Sequence, residues 1–220
     1  MWLDAVGFAL GLALAWHFQW ETRDLVWSLW FASLTVGFAT IVWQLFAPAW
    51  LLAREGQAGA AMFAVIGGVF LLAFFTFHFG LFHTVHAIFL NGFFPITAGR
   101  SVEFPPFGLL VEAATRYGWF LPAALLAERG GFRIAPLPPA PPATSVKAAD
   151  IDARKARNAA LGLRGGVMAP YANVVRLHLL IFFFAGAHFL KLDGFAVYAV
   201  VYAAYFFPWR VLRRARAEQA

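Results

Sequence analysis

Cysteine is absent from this 220-residue chain, which excludes a disulfide, a thiolate metal site and a cysteine nucleophile. Charged residues are scarce at 13%, whereas soluble domains average about 25%. With so little charge the chain cannot cover a water-facing surface, so lipid must cover much of it. The sequence also contains no phosphate-binding loop, dinucleotide fingerprint, HExxH motif or serine-nucleophile elbow. These absences leave no residue that can be named as a catalytic acid, base or nucleophile.

The sequence consists largely of long apolar segments, and 62% of its residues are hydrophobic. A membrane-spanning helix needs about 20 mainly apolar residues. Six segments meet this requirement and predict an all-α, polytopic transmembrane bundle forming one membrane domain over residues 1–220. The segments are Trp2–Trp20, Leu25–Leu52, Ala58–Phe94, Phe107–Ala127, Ala169–Leu190 and Phe195–Val211.

Three of these segments have features of their own. The first lacks a basic amino-terminal region and ends in bulky residues, so we expect a retained helix and not a signal peptide. The third is longer than one span and would have to tilt, begin at the interface, or bend at a glycine. The fourth contains Pro122 and a Glu112–Arg116 pair at i, i+4 spacing, which makes it the weakest of the six.

The basic residues predict the topology. With both termini in the cytoplasm, the inner segments carry twelve Lys and Arg residues and the outer loops carry three, namely Arg23, Arg100 and Lys191. This bias predicts a multi-pass protein of the bacterial inner membrane, with the net charge of +6 reflecting topology and no nucleic-acid partner. An alternative has five spans with an external amino terminus, if Phe107–Ala127 only lies on the membrane.

Residues 135–168 form the most polar stretch of the chain. Five prolines between Pro136 and Pro142 predict an extended linker, and Lys147–Arg164 follows as a basic amphipathic helix. We expect this segment in the cytoplasm, with its helix against anionic lipid headgroups. The alternative is that the helix docks onto a partner protein.

All six histidines lie in or beside apolar segments, where an ionisable side chain is costly and marks a candidate functional site. Four of them fall at similar depths toward the outer face in the six-span topology. His83 and His86 share a helical face, at a spacing that allows two imidazoles to bind one ion. These four residues are therefore a candidate zinc, copper or iron site: His17, His83, His86 and His188. The five-span topology would place His86 and His188 in opposite leaflets.

The other two histidines suggest a haem. His78 and His178 lie near the middle of the third and fifth spans, where they could ligate one haem b iron from two helices. Arg176 could bind a haem propionate or an anionic headgroup, or it could extend toward the inner surface. The competing interpretation is that all the histidines are structural and that no cofactor is present.

Two stretches resemble a known family: Phe77-His78-Phe79-Gly80-Leu81-Phe82 with His86-Ala87-Ile88-Phe89-Leu90, and Ala169-Pro170-Tyr171 leading into Val174-Val175-Arg176-Leu177-His178-Leu179. They are similar to the HxG…H…FL helix and the RxxxLHL-like helix of a family of bacterial polytopic membrane proteins of unknown function. The resemblance runs from the third span onward. It implies that His78, His86 and His178 match family positions, and that Tyr117 stands where the family has a histidine. It implies no activity.

These observations leave three functions open. The chain could hold a histidine-ligated metal or haem for electron transfer or metal handling. It could instead be a non-catalytic accessory subunit of a larger respiratory or photosynthetic membrane complex, with other membrane proteins as partners. A small transporter or proton relay is the third candidate, although the spans offer few polar residues for it.

Overall fold

The computed structural model describes residues 2–99, 102–133, 147–161, 175, 179–180, 182–184, 186–187, 189–191 and 195–206. Regular secondary structure in this part of the chain is helical, without a strand, which confirms the all-α prediction. The helices with defined bounds are α1 (Trp2–His17), α2 (Thr22–Arg54), α3 (Ala58–Phe93), α4 (Phe107–Tyr117), α5 (Leu121–Glu128), α6 (Ala148–Leu161) and α7 (Phe195–Phe206).

The two longest helices, α2 and α3, form an antiparallel pair. They contain 33 and 36 residues, or about 50 and 54 Å at 1.5 Å per residue. Within the described ranges they are the two helices long and apolar enough to cross a membrane. Their bounds agree closely with the second and third predicted segments, because each is an uninterrupted apolar run. The third segment was predicted to tilt, start at the interface or bend, and it forms one helix through its glycines.

The fourth predicted segment, Phe107–Ala127, is not one regular helix. It divides into α4 and α5, which are joined by a 3₁₀ turn over Gly118–Phe120. Pro122 explains the division, because a proline has no N–H and its ring collides with the carbonyl four residues earlier, here that of Gly118. Proline is accommodated in the first turn of a helix, and Pro122 lies in the first turn of α5.

The first predicted segment also ends early, since α1 stops at His17 and not at Trp20. Gln19 takes a positive φ of 52°, and the Trp20 N–H turns back to donate to the Ala15 carbonyl at 2.8 Å. These 16 residues give α1 a length of about 24 Å. The helix packs closely along α5, where a Cβ at Gly7 would lie 3.1 Å from the Cβ of Leu126.

Contacts near the start of α1 define one end of the molecule, which we call the Asp4 end. Asp4 accepts a hydrogen bond from Arg129 after α5, at 2.6 Å. Trp43, in the second half of α2, donates to the Phe132 carbonyl at 2.8 Å. The α2–α3 turn and α6 also lie at this end, since Arg157 pairs with Glu55.

The opposite end, which we call the Asp24 end, contains the α1–α2 loop and the α3–α4 loop. Trp27, in the first turns of α2, donates to the Phe94 carbonyl just after α3, at 2.6 Å. Tyr117, at the end of α4, donates to Asp24 at 2.9 Å. The chain therefore reverses direction from α1 to α2, from α2 to α3, and again from α3 to the α4–α5 segment.

The remaining predicted segments are only partly described. A helix was predicted within Lys147–Arg164, and α6 confirms it over Ala148–Leu161. Residues 134–146, with the prolines of the predicted linker, lie outside the described residues. The described residues between 175 and 189 are helical, and α7 occupies the first part of the sixth predicted segment.

Candidate functional site

His83 lies in the interface between α2 and α3 and is 1% exposed. Its Nδ1 lies 2.9 Å from the Phe79 carbonyl oxygen, and its Nε2 lies 3.3 Å from the Ser33 hydroxyl. A carbonyl can only accept, so Nδ1 carries the proton and Nε2 accepts the hydroxyl proton of Ser33. Both ring nitrogens of His83 therefore bind protein groups, and a metal at Nε2 would have to displace Ser33.

Tryptophans of α2 add further bonds to α3 around this histidine. The Trp30 indole N–H donates to the His83 carbonyl at 2.9 Å. The ring of Phe79 lies against the imidazole, with centroids 4.2 Å apart. Trp30 also packs edge-on against Trp27. Both indoles are fully buried, so each needs a hydrogen-bond acceptor, which is the His83 carbonyl of α3 for Trp30 and the Phe94 carbonyl just after α3 for Trp27. His83 thus belongs to a polar seam that fastens α3 to α2.

His86 comes close to His83, as the spacing of three residues predicts. The two ring centroids lie 6.1 Å apart, and His86 is 4% exposed with its ring against Phe82. Across the described ranges, however, no three His, Cys, Asp or Glu side chains form a group that could hold a metal. His17 therefore does not join the pair; it is exposed at the end of α1 beside Phe18. His188 lies outside the described residues.

His78 is exposed, as His17 is, but it lies within a long helix and not at a helix end. It lies near the middle of α3, on the exposed side of the helix, with its ring stacked on Phe74 at 5.5 Å and an interplanar angle of 8°. An imidazole in this position can be reached by a ligand or by another helix. His178 and Arg176, the other residues of the predicted haem site, lie outside the described residues.

A second polar cluster occupies the Asp24 end. The predicted Glu112–Arg116 pair is present, with a separation of 3.0 Å. Glu112 also accepts a hydrogen bond from the Thr97 hydroxyl, which ties the α3–α4 loop to α4. Tyr117 is 1% exposed and donates to the Asp24 carboxylate. The cluster therefore binds three chain segments together at this end.

Asp24 was not among the residues selected from the sequence. Its second carboxylate oxygen accepts the Glu21 N–H at 3.0 Å, which completes a capping box at the start of α2. The local signal was available, since two acidic residues stand three apart before an apolar run. The bond from Tyr117 had no local signal, because 93 residues separate it from Asp24.

The chain has a detectable family relationship. Residues 8–127, which include most of α1, all of α2 to α4 and all but the last residue of α5, match the family of unknown function DUF6498. The match begins before the third span, where the resemblance noted in the sequence starts, and it ends before Arg176 and His178. No curated protein and no solved structure shows significant similarity to the chain. The chain belongs to the family of unknown function DUF6498.

Proposed function

We propose that this chain is a multi-pass protein of the bacterial inner membrane that serves as a non-catalytic subunit of a larger membrane assembly. The observation that carries the proposal is the uncovered apolar surface of α3. In the most apolar 18-residue stretch of each helix, 61% of α2 is buried but only 17% of α3. Large apolar side chains on α3 that exceed 50% exposure include Phe63, Ile66, Phe70, Phe74, Phe77, Val85 and Ile88.

This surface is too large and too apolar for water. Phe63 and Ile88 are 25 residues apart, so the exposed side chains extend over about 38 Å of helix. That length exceeds the roughly 30 Å hydrocarbon core of a bilayer. Of the helices with defined bounds, α2 is the one that packs extensively on α3. Lipid chains and neighbouring subunits are the surroundings that such a face fits.

Charge placement supports the proposed orientation. Among the described residues the Asp4 end carries seven basic residues and the Asp24 end carries three. The seven are Arg54, Arg129, Arg133, Lys147, Arg154, Lys155 and Arg157, and the three are Arg23, Arg116 and Lys191. We therefore propose that the Asp4 end is cytoplasmic, because the positive-inside rule favours the more basic end on that side. The proposal has six spans and both termini in the cytoplasm. The fifth and sixth of these spans rest on the sequence.

A non-catalytic role fits the polar contacts that the described helices and loops make with one another. His83 binds Phe79 and Ser33, Asp24 binds Tyr117, and Glu112 binds Thr97 and Arg116. Each of these bonds joins two turns or two segments of the chain. Such bonds are what a bundle needs in lipid, where water cannot satisfy a buried polar group.

A haem held by His78 and His178 is the second candidate function. The exposure of His78 near the middle of α3 favours it, because its imidazole lies on the surface of the helix, where a ligand could reach it. Iron would bind the imidazole nitrogen of His78, and Arg176 would bind a propionate. A haem protein would contain iron after purification, whereas an accessory subunit would be purified together with other membrane proteins.

One purification distinguishes the two. The protein would be extracted from its native membrane in mild detergent, with native mass, subunit composition and metal per mole of chain measured together. We expect a particle of fixed stoichiometry that contains other membrane proteins, unchanged by His78→Ala and free of stoichiometric metal. His17→Ala is the matched control, since His17 is exposed at a helix end. A chain that runs alone, or stoichiometric iron that His78→Ala removes, would refute the accessory role.

A further inference from the structure

An exposed arginine and an exposed tryptophan stand together at the Asp4 end of α2. The Arg54 guanidinium carbon lies 4.9 Å from the centre of the Trp50 ring, which is one helical turn earlier. Trp50 is 49% exposed, and Arg54, the last residue of the helix, is exposed too. A guanidinium at this distance is attracted to the face of an indole. The contact therefore keeps the positive charge of Arg54 beside Trp50 on the helix surface.

The charge of Arg54 is not paired with a carboxylate within the described ranges. Glu55 is its neighbour in the chain, but the Glu55 carboxylate binds Arg157 and accepts a hydrogen bond from Gln57 at 3.0 Å. The Glu55–Arg157 pair is neutral as a unit, so the field of Arg54 remains. An exposed guanidinium with an uncompensated charge fits a phosphate group, to which it can donate two parallel hydrogen bonds.

Trp50 lies level with the edge of the exposed apolar surface of α3. The two helices are antiparallel, and a Cβ at Gly68 would lie 3.2 Å from the Leu45 carbonyl oxygen. Five residues along α2 from this contact is Trp50, and five residues back along α3 is Phe63, near the start of that surface. Arg54 lies about 6 Å further toward the helix end. In a bilayer this register puts Trp50 in the interface, where tryptophan is enriched, and Arg54 among the headgroups.

Aromatic side chains continue from Trp50 toward the middle of α2. Trp43 lies two turns earlier on the same face, about 10 Å along the axis, and is 41% exposed. Its indole N–H donates to the Phe132 carbonyl at 2.8 Å, which holds the ring in place. Phe46 lies between the two tryptophans and is partly exposed. Starting at the helix end, this face of α2 thus presents a positive charge, an interfacial ring and an apolar strip.

We propose that this face of α2 binds one anionic phospholipid of the cytoplasmic leaflet, with the phosphate on Arg54 and an acyl chain along Trp50, Phe46 and Trp43. The order of groups on the helix is the order of groups in the lipid. Charge favours an anionic headgroup, because a zwitterionic lipid carries a cation of its own that repels Arg54 and offsets the attraction of its phosphate. The site rests on the membrane orientation proposed above and is independent of the accessory role.

Native mass spectrometry of the detergent-purified chain tests the site by counting bound lipids. We expect one phosphatidylglycerol to bind at concentrations where phosphatidylcholine does not. Arg54→Gln should weaken this binding roughly fivefold or more, the effect of one basic residue near an anionic membrane surface. Trp50→Leu keeps an apolar side chain without the ring and should weaken binding about two- to fivefold. Lipid is counted on the chain itself, so the result does not depend on whether other subunits co-purify.

Two controls make this test specific. Lys155→Gln removes the same charge at the same end, from a side chain that is 75% exposed, and should leave binding unchanged. Glycerol phosphate carries the charge of the headgroup without acyl chains and should not displace the lipid at equal concentration. Equal losses in Lys155→Gln and Arg54→Gln, equal binding of the two lipids, or displacement by glycerol phosphate would overturn the site. The membrane orientation itself is tested separately, by cysteine labelling.

Discussion

Replacing Gly11 with alanine is expected to destabilise the bundle by about 1–3 kcal/mol, the usual cost of overpacking a core. A Cβ at this position would lie 2.1 Å from the Tyr202 hydroxyl oxygen and 3.1 Å from Cε2 of Phe120. The tyrosine cannot easily move away, because it is 3% exposed and its ring stacks on Phe8 at 5.2 Å. The effect is measured as a change in the melting temperature of the detergent-purified protein, with size-exclusion chromatography used to detect unfolding after heating.

Two comparisons show whether the close approach is the cause. A Cβ at Gly67 on α3 would meet nothing within 4 Å, so Gly67→Ala should be neutral or stabilising. Tyr202→Phe removes the hydroxyl that alanine would meet first and should recover part of the loss in the double variant. If Gly11→Ala melts at the parent temperature, α1 and α7 are not packed as described.

Replacing Phe77 with arginine should impair membrane insertion by about 2.5–3.5 kcal/mol, the cost of a charge at the centre of a spanning helix. Phe77 is 63% exposed and lies near the middle of α3, so the new charge would face lipid and not the bundle. This cost is measured by placing the α3 sequence in a host membrane protein and comparing the fraction of molecules in which it inserts, with and without the substitution.

The matched control for this variant is Ala58→Arg, at the exposed first residue of α3. A charge there lies beside the turn and should leave insertion nearly unchanged. If the face of α3 is exposed to water, Phe77→Arg would behave as a surface substitution, with an effect within about 0.5 kcal/mol. Equal insertion of the two variants would therefore contradict a lipid-facing α3.

The long helices were predictable because their signal is local. The apolar runs of the second and third segments gave α2 and α3 to within a few residues, and the basic run after the prolines gave α6. The fourth segment was predicted as one span, although Pro122 marked the point where helical hydrogen bonding changes. The hydrophobicity of a segment indicates where an apolar stretch begins and ends, but it does not show where the helix within that stretch is interrupted.

The roles of the histidines were less predictable, because their partners are distant in sequence. The spacing of His83 and His86 correctly placed the two rings together. Ser33 and Trp30, which bind His83, belong to α2 and lie about fifty residues earlier. Only the packing of α2 on α3 reveals that His83 forms part of a polar seam. The same limit applies to Arg157, which was predicted on a helix that lies against anionic headgroups and which pairs with Glu55, 102 residues earlier.

The most direct test of a membrane-spanning α2–α3 pair is the labelling of single cysteines with an impermeant maleimide. Three variants suffice: Glu103→Cys in the α3–α4 loop, Ala58→Cys at the α2–α3 turn, and Phe77→Cys in the middle of α3. All three positions are exposed on the protein. In intact spheroplasts we predict labelling at 103 alone, with 58 labelled after lysis and 77 unlabelled in both. Labelling of 58 and 103 from the same side, or labelling of 77 as fast as the loops, would contradict the account.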